Sequence, residues 1–208
     1  MQKDPYATLA ARYDRSVDPS ASRLRKLGLR ILPPRENLKI LDVGCGTGSL
    51  ALAARRAVGP EGSVAGIDPS PEMIGRARGK ARRARQEIDF REAPAQVLPF
   101  ESGSFDVVTS TLVLHQLPPT DLHAAVAEMI RVLRPGGRLM LADIGGAQAH
   151  GRTVHARNAQ RHGVHLFDLR EAAGRLESFG LTPIASGEVP FKLADFEQIY
   201  YVLASRGE

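Results

Sequence analysis

Asp42, Gly44, Gly46 and Gly48 occupy alternate positions in ILDVGCGTGSLALAARR, between an apolar run and an alanine-rich one. A glycine-rich turn between a strand and a helix lets a ligand approach the backbone, because residues without a Cβ reach positive φ freely. The following helix aims unpaired N–H groups at that turn, which suits a carboxylate or a phosphate. Spacing separates the candidates. A dinucleotide turn reads G-x-G-x-x-G, and Ser49 holds the last of those positions here. No lysine follows Gly48, as a phosphate-cradling G-x-x-x-x-G-K-[ST] loop would require. A carboxylate at Asp42 is unhelpful to a pyrophosphate and suits a ligand with a cationic end. Asp68 closes the next apolar run, at the place where an acid commonly accepts from ribose hydroxyls.

Other reactive side chains weigh less. Cys45 lies inside the turn, with no sequence neighbour to act as its base, so it reads as a small residue fitting a tight loop. His115, in LVLHQL, is eligible as a general base, and a histidine there equally suits shaping a pocket or capping a turn. His150, His155, His162 and His165 share one loop, but no cysteine or carboxylate completes a tight ligand set, so no metal site is expected.

The elements that must position these residues alternate from Leu38 onward. LKILDVG, GSVAGID, EIDFREA, SFDVVTSTL and RLMLADI read as strands, the first a nearly continuous apolar run as expected when both faces are buried. SLALAARRAV and SPEMIGRARGKARRARQ read as helices, the second with Ser70 as N-cap and Pro71 at its first position. TDLHAAVAEMIRVL is a third helix, capped by Thr120 or Asp121, that gives way at RPGG to the fifth strand. DLREAAGRLESFG predicts an amphipathic helix ended by Gly180, followed by extended segments at 182–191 and 198–205.

Repeated βα units imply an α/β fold with a mostly parallel sheet and helices on both faces. The last two strands lack an intervening helix and should pair antiparallel at one edge. Two helices, PYATLAARYD and SASRLRKLGLRIL, precede the first strand, the second with Leu24, Leu27, Ile31 and Leu32 on one face. The 208 residues suffice for one domain. Its expected parts are N-terminal helices over 1–37, a core over 38–145, and a lid loop, last helix and edge strands over 146–208.

Composition bounds the setting. No apolar run approaches the roughly 20 residues of a membrane span, and the charged N-terminus lacks the core of a signal peptide. A single cysteine fits a reducing cytoplasm. The net charge of +5 permits an anionic partner without demanding one. Arg76, Arg78, Lys80, Arg82, Arg83 and Arg85 crowd one helix beside an apolar stripe, which reads first as a solvated outer face. A nucleic-acid footprint is the rival reading, though no aromatic residues interleave to stack on bases.

Four segments in order, ILDVGCGTGSLA, VAGIDPSPEMIGRAR, LPFESGSFDVVTSTLVLHQL and EMIRVLRPGGRLMLAD, resemble the successive motifs of class I S-adenosylmethionine-dependent methyltransferases. The similarity runs from about Leu38 to Ile144 and points to the branch that contains the ubiquinone/menaquinone-biosynthesis enzymes; AARYD near the N-terminus also matches. It implies a three-layer, Rossmann-like, seven-stranded sheet and S-adenosylmethionine as cofactor. It further implies that Asp42, Gly44, Cys45 and Gly46 line the methionine portion, with Asp42 toward the ammonium. Asp68 would hold the ribose hydroxyls, and Pro69 and Met73 would pack on adenine. Ser110, Thr111 and Leu112 would meet the amino-acid end through their backbone, with Tyr13 covering the cofactor.

One departure stands out: APAQVLPF carries Pro94 where the family often has an aspartate for the adenine amino group, and Gln96 where it has a glutamate. Adenine recognition then falls to the Ala95 backbone, Gln96 or a neighbour. The implied reaction is methyl transfer to a small-molecule acceptor, with His115 as the candidate base. Arg152, Arg157 and Arg161 in the lid loop fit an anionic acceptor. A nucleic-acid methyltransferase and a non-catalytic cofactor-binding module are the alternatives, and the glycine spacing disfavours a nicotinamide-dependent dehydrogenase.

Overall fold

The computed structural model describes residues 28–30, 33, 35–144, 169, 176–189 and 199–208. Tyr13, the N-terminal helices before residue 28, and the lid loop with its four histidines and three arginines lie outside the described residues. Residues 28–30 are helical, in line with the second expected N-terminal helix.

Seven strands form one sheet in the order β3-β2-β1-β4-β5-β7-β6. They are β1 (Lys39–Val43), β2 (Ser63–Asp68), β3 (Asp89–Glu92), β4 (Phe105–Thr111), β5 (Leu133–Ile144), β6 (Leu181–Glu188) and β7 (Ile199–Arg206). The first five pair with one another in parallel, whereas β7 pairs antiparallel with both β5 and β6, so the expected antiparallel pairing sits at one side of the sheet.

Helices α1 (Ser49–Ala57) and α2 (Pro71–Ala84) cover one face, and α3 (Pro119–Val132) covers the other. Side chains alternate along a strand, so β1 sends Ile40 into the α1–α2 layer and Leu41 and Val43 into the α3 layer. Neighbouring strands follow the same division. Val107 and Met140 pack with Ile40, and Val108, Leu139 and Leu141 with Leu41. Burial on both sides is why the central strands lack a polar face.

Ser70 caps α2, accepting from Met73 N–H at 3.3 Å, with Pro71 at the first helical position. Elsewhere the element ends differ from expectation. Helix α3 begins at Pro119 after Pro118, so neither Thr120 nor Asp121 is its cap. A proline suits the first turn because its missing N–H would find no helical partner there and its φ is already helical. RPGG does not separate α3 from β5 but belongs to the strand: Leu133 pairs with Phe105, and the register shifts before Val107 meets Arg138. Gly136, at φ +68°, supplies the left-handed residue that such a bulge uses. Of the helix expected over 168–180, Leu169 is helical, while Leu176–Phe179 form a tighter 3-10 turn before Gly180.

Two motif segments turn out to hold each other. Glu128 on α3 accepts from Leu98 N–H at 2.8 Å, and Arg131 donates to the carbonyls of Leu98 and Phe100 at 3.0 and 2.9 Å. The EMIRVL helix therefore fixes the LPFES loop that leads into β4.

Candidate active site

The chain crosses from β3 back to β4 on the far side of β1, so the switch point of the sheet lies between the carboxyl ends of β1 and β4. A ligand in an open α/β sheet binds at that crevice. The glycine turn and the segment after β4 both open onto it.

The turn is drawn over the sheet by two amides. Gly44 and Cys45 N–H both donate to the Ile67 carbonyl at 2.8 Å. Gly44, Gly46 and Gly48 sit at φ +72°, +52° and +77°, the left-handed region that L side chains resist. A Cβ on Gly48 would strike Phe90 and Ala77 at 2.6 and 2.9 Å, whereas one on Gly46 would meet nothing within 4 Å among the described residues. Gly46 therefore faces open space, where a ligand could reach its backbone.

Asp68 ties β2 to this turn. Its Oδ2 accepts from Gly46 N–H and its Oδ1 from Ser70 N–H, both at 2.9 Å. An ionised carboxylate can only accept, at two lone-pair sites on each oxygen, which is the chemistry that ligand hydroxyls need. From below, Lys80 Nζ donates to Thr47 Oγ1 at 2.8 Å and Ser49 Oγ at 2.9 Å. Arg78 donates to the Phe90 carbonyl at 3.2 and 2.6 Å. Arg78 and Lys80 thus brace the protein, while Arg76, Arg82 and Arg83 on α2, and Arg85 just past its end, are exposed.

Asp42 is buried on the α1 face of β1 and accepts from Thr109 Oγ1 at 3.1 Å. It borders a cavity of about 20 Å³ with Leu29, Leu50, Ala54, Thr109 and Met140, room enough for a single water molecule. Cys45 is also buried, its thiol toward the Gly46 carbonyl at 3.7 Å. Burial, with the nearby charges of Asp42 and Asp68, pushes that thiol well above its ordinary pKa. This is the electrostatics of an inert thiol, not a nucleophile.

On the opposite side of the crevice, Leu112 follows β4 at φ +59°, with its N–H on the Ala142 carbonyl at 2.8 Å. The Ser110 hydroxyl is buried at the end of β4 and makes no hydrogen bond among the described residues. A buried orphan hydroxyl costs about 1–3 kcal/mol, and at the mouth of a crevice it is a group waiting for a partner. His115 lies in a 3-10 turn, Leu114–Gln116, with its ring only 6% exposed and Nδ1 2.6 Å from Asp143 Oδ1. Asp143 Oδ2 accepts from the N–H groups of Val113, Leu114 and His115 at 3.1, 2.8 and 3.3 Å. Sequence reading missed Asp143, which sits 28 residues downstream at the end of β5 and joins the site only through strand pairing.

Residues 40–137 match the family model described as a methyltransferase domain. Just under half of the chain is thus similar to methyltransferase domains. The demethylmenaquinone methyltransferase of Lactococcus lactis subsp. lactis is 43% identical over 104 residues, covering 50% of this chain and 40% of that protein. The chain thus spans less than half the length of that relative and of its Staphylococcus aureus counterpart. Among solved structures, an S-adenosylmethionine-dependent methyltransferase from Aquifex aeolicus superposes with a TM-score of 0.72 at 21% identity, covering 94% of this chain and 97% of that one. A geranyl diphosphate methyltransferase, solved with geranyl diphosphate and sinefungin, gives 0.76 at 19%, covering 95% and 82%. The Rossmann-like, seven-stranded fold is shared with these structures.

Gly44, Gly46, Asp68, Ser110, Thr111 and Leu112 all lie at or just beyond the carboxyl ends of β1, β2 and β4. Pro69 is exposed beside Asp68, while Met73 is only 3% exposed, under the cap of α2. The post-β3 loop begins with Ala93 N–H on the Asp68 carbonyl at 3.2 Å, which brings Ala95 and Gln96 to the same end of the sheet. The Gln96 amide nitrogen donates to Asp121 Oδ2 at 2.9 Å, so its donor group is engaged with α3. Among the described residues, no three metal-ligating side chains cluster.

Proposed function

We propose that the chain is an S-adenosylmethionine-dependent methyltransferase acting on a small-molecule acceptor. One observation carries this reading. The acidic side chain that ends β2 is hydrogen-bonded to the one loop glycine whose Cβ position is open, so a hydroxyl acceptor and an accessible backbone face the same crevice.

The site's residues fit that cofactor. Asp68 holds the ribose hydroxyls; Gly44 and Gly46 admit the methionine portion, with Cys45 filling the turn behind them. Asp42 sets a negative charge beneath the ammonium and reaches it through water. The Ser110 hydroxyl and the backbone of Thr111 and Leu112 bound the amino-acid end. Pro69 and Met73 bound the adenine, read by the Ala95 backbone or the Gln96 carbonyl in place of the aspartate that Pro94 replaces. Tyr13 covers the cofactor. When bound, S-adenosylmethionine supplies an electrophilic methyl whose bond to sulfur breaks with its electron pair left on sulfur. The leaving group is already activated, so the protein contributes mainly by fixing donor and acceptor in line. His115 receives the proton where the acceptor must lose one.

A small acceptor is supported by the demethylmenaquinone and geranyl diphosphate methyltransferases that the chain resembles. A hydroxylated ring such as a quinol, or an anionic prenyl compound, is the class we favour; Arg152, Arg157 and Arg161 fit the second. The nucleic-acid alternative is weakened because Arg78 and Lys80 are spent on internal hydrogen bonds. No described helix is long and apolar enough to cross a membrane, and the single buried thiol fits the cytoplasm.

Calorimetry with S-adenosylmethionine and with NAD, then transfer of labelled methyl into a cell extract, tests the proposal. The expected result is S-adenosylmethionine binding and label in a small organic-soluble or anionic product. Binding of NAD alone would overturn the cofactor; label in RNA would overturn the acceptor class; binding without transfer would leave a non-catalytic module.

A further inference from the structure

We propose that the groove beside the C-terminal ends of α1 and α2 is a second ligand site, for a phosphate monoester with a flat apolar body. The groove is lined by the first residues of β2 and β3 and so lies at the amino ends of those strands. The glycine turn and the segment after β4 lie at the carboxyl ends. The two sites are therefore separate, and this one stands whether or not the methyltransferase reading does.

Its volume is about 540 Å³, within the range of small-molecule sites and more than a bare phosphate fills. Val64, Ala81 and Ile88 form a buried or half-buried apolar part of the lining. Arg55, in the last turn of α1, and Arg78 and Arg82, on α2, bring three guanidiniums to the same groove. Each guanidinium carries five N–H donors, and few of these are used. Arg55 donates from Nη1 to the Gly59 carbonyl at 2.6 Å, and Arg78 from Nε and Nη2 to the Phe90 carbonyl. Arg82 makes no side-chain hydrogen bond among the described residues. The acceptors in use are neutral carbonyls, so none of the three charges is offset by a described carboxylate. Two acids share the lining, and Asp89 is taken by Arg91, which meets it at 2.9 Å through Nε and 2.7 Å through Nη2. Glu87 is left against three cations.

Cations in a last helical turn also complement the helix dipole, which is the competing account of Arg55 and Arg82. The end of α2 does not need them: the carbonyls of Ala81 and Arg82 already accept from Gln86 and Arg85 N–H at 3.0 and 3.1 Å. Nor does a dipole account for Arg78, which lies before the last turn. An excess of guanidinium over an apolar surface matches an anion with an apolar body. Arginine forks hold phosphate oxygens bidentately, and a phosphate monoester carries about −1.5 to −2 charge at pH 7. Its ester group then covers Val64, Ala81 and Ile88.

1-Naphthyl phosphate is the probe, titrated at low salt into the ¹⁵N-labelled full chain while backbone amide shifts are followed. Saturable shifts should appear at Ser63, Val64 and Ile88, and not at Gly44 or Gly46. Arg55→Ala and Arg82→Ala should each weaken binding at least ~10-fold, the loss of one charged hydrogen bond. 1-Naphthol and inorganic phosphate, the two halves of the probe, should each bind at least ~10-fold more weakly than the whole. No saturable shift up to about 10 mM probe, shifts centred on the glycine turn, or wild-type affinity in both variants would overturn the site. Inorganic phosphate binding as tightly as the probe would overturn the apolar body, and 1-naphthol doing so would overturn the anion. Mixed-sequence RNA that binds through these arginines while 1-naphthyl phosphate does not would overturn the small ligand in favour of a polyanion.

Discussion

A Cβ placed on Gly44 would lie 2.2 Å from Cγ2 of Val113. The loops closing β1 and β4 are therefore packed backbone against side chain across the switch point. Val113 is in turn held by its N–H on Asp143. The cofactor-side loop and the turn that carries His115 cannot move independently.

Gly44→Ala should cost about 3 kcal/mol, combining the left-handed φ with a clash against a β-branched side chain. Val113→Ala in the same chain should recover part of that loss. Gly46→Ala, at an open position, should cost only about 1–2 kcal/mol in urea unfolding. It should nevertheless weaken S-adenosylmethionine binding at least ~10-fold by filling the approach to the backbone. Equal stability losses at the two glycines would contradict this picture.

Lys80→Met should lower stability by about 1–2 kcal/mol, because the buried Thr47 hydroxyl and the Ser49 hydroxyl lose their shared donor. Arg82→Ala and Arg83→Ala, on the exposed face of the same helix, should change stability by less than ~0.5 kcal/mol. Denaturation midpoints of the three variants provide the comparison.

Asp68→Ala should leave Gly46 N–H and Ser70 N–H without their acceptor. Calorimetric affinity for S-adenosylmethionine should drop by at least ~100-fold, with Asp68→Asn intermediate because one oxygen remains. Affinity unchanged in both variants would remove Asp68 from the cofactor site.

Cys45 carries a pH dependence of its own. Its pKa is raised in the fold, by burial first and then by the charges of Asp42 and Asp68. The folded state therefore holds the thiol proton more tightly than the unfolded chain. That preference is complete below the unfolded thiol value and is lost as pH rises toward the folded one. Unfolding free energy should fall through this alkaline range, and Cys45→Ala should flatten the slope. Native Cys45 should also resist iodoacetamide at pH 8 until urea exposes it, as measured by mass spectrometry.

Much of the architecture was legible because it rests on local rules. Continuous apolar runs marked the buried strands, glycine spacing marked the turn, and Ser70-Pro71 marked the start of α2, all confirmed in place. Boundaries governed by pairing were not legible. RPGG reads as a break, yet β4 draws it into the sheet as a bulge. TDLHAAVAEMIRVL reads as a helix from Thr120, yet Pro119 already opens it, with Pro118 at the cap.

The candidate site divides along the same line. The sequence by itself determined the turn, its three left-handed glycines and the acid at the end of β2, because their chemistry depends on residue type and short spacing. Only the tertiary structure decided which of the cations on α2 work inside the protein, where Lys80 reaches a loop 31 and 33 residues away. It also paired His115 with Asp143, since a partner 28 residues distant becomes a neighbour only when two parallel strands bring their carboxyl ends together.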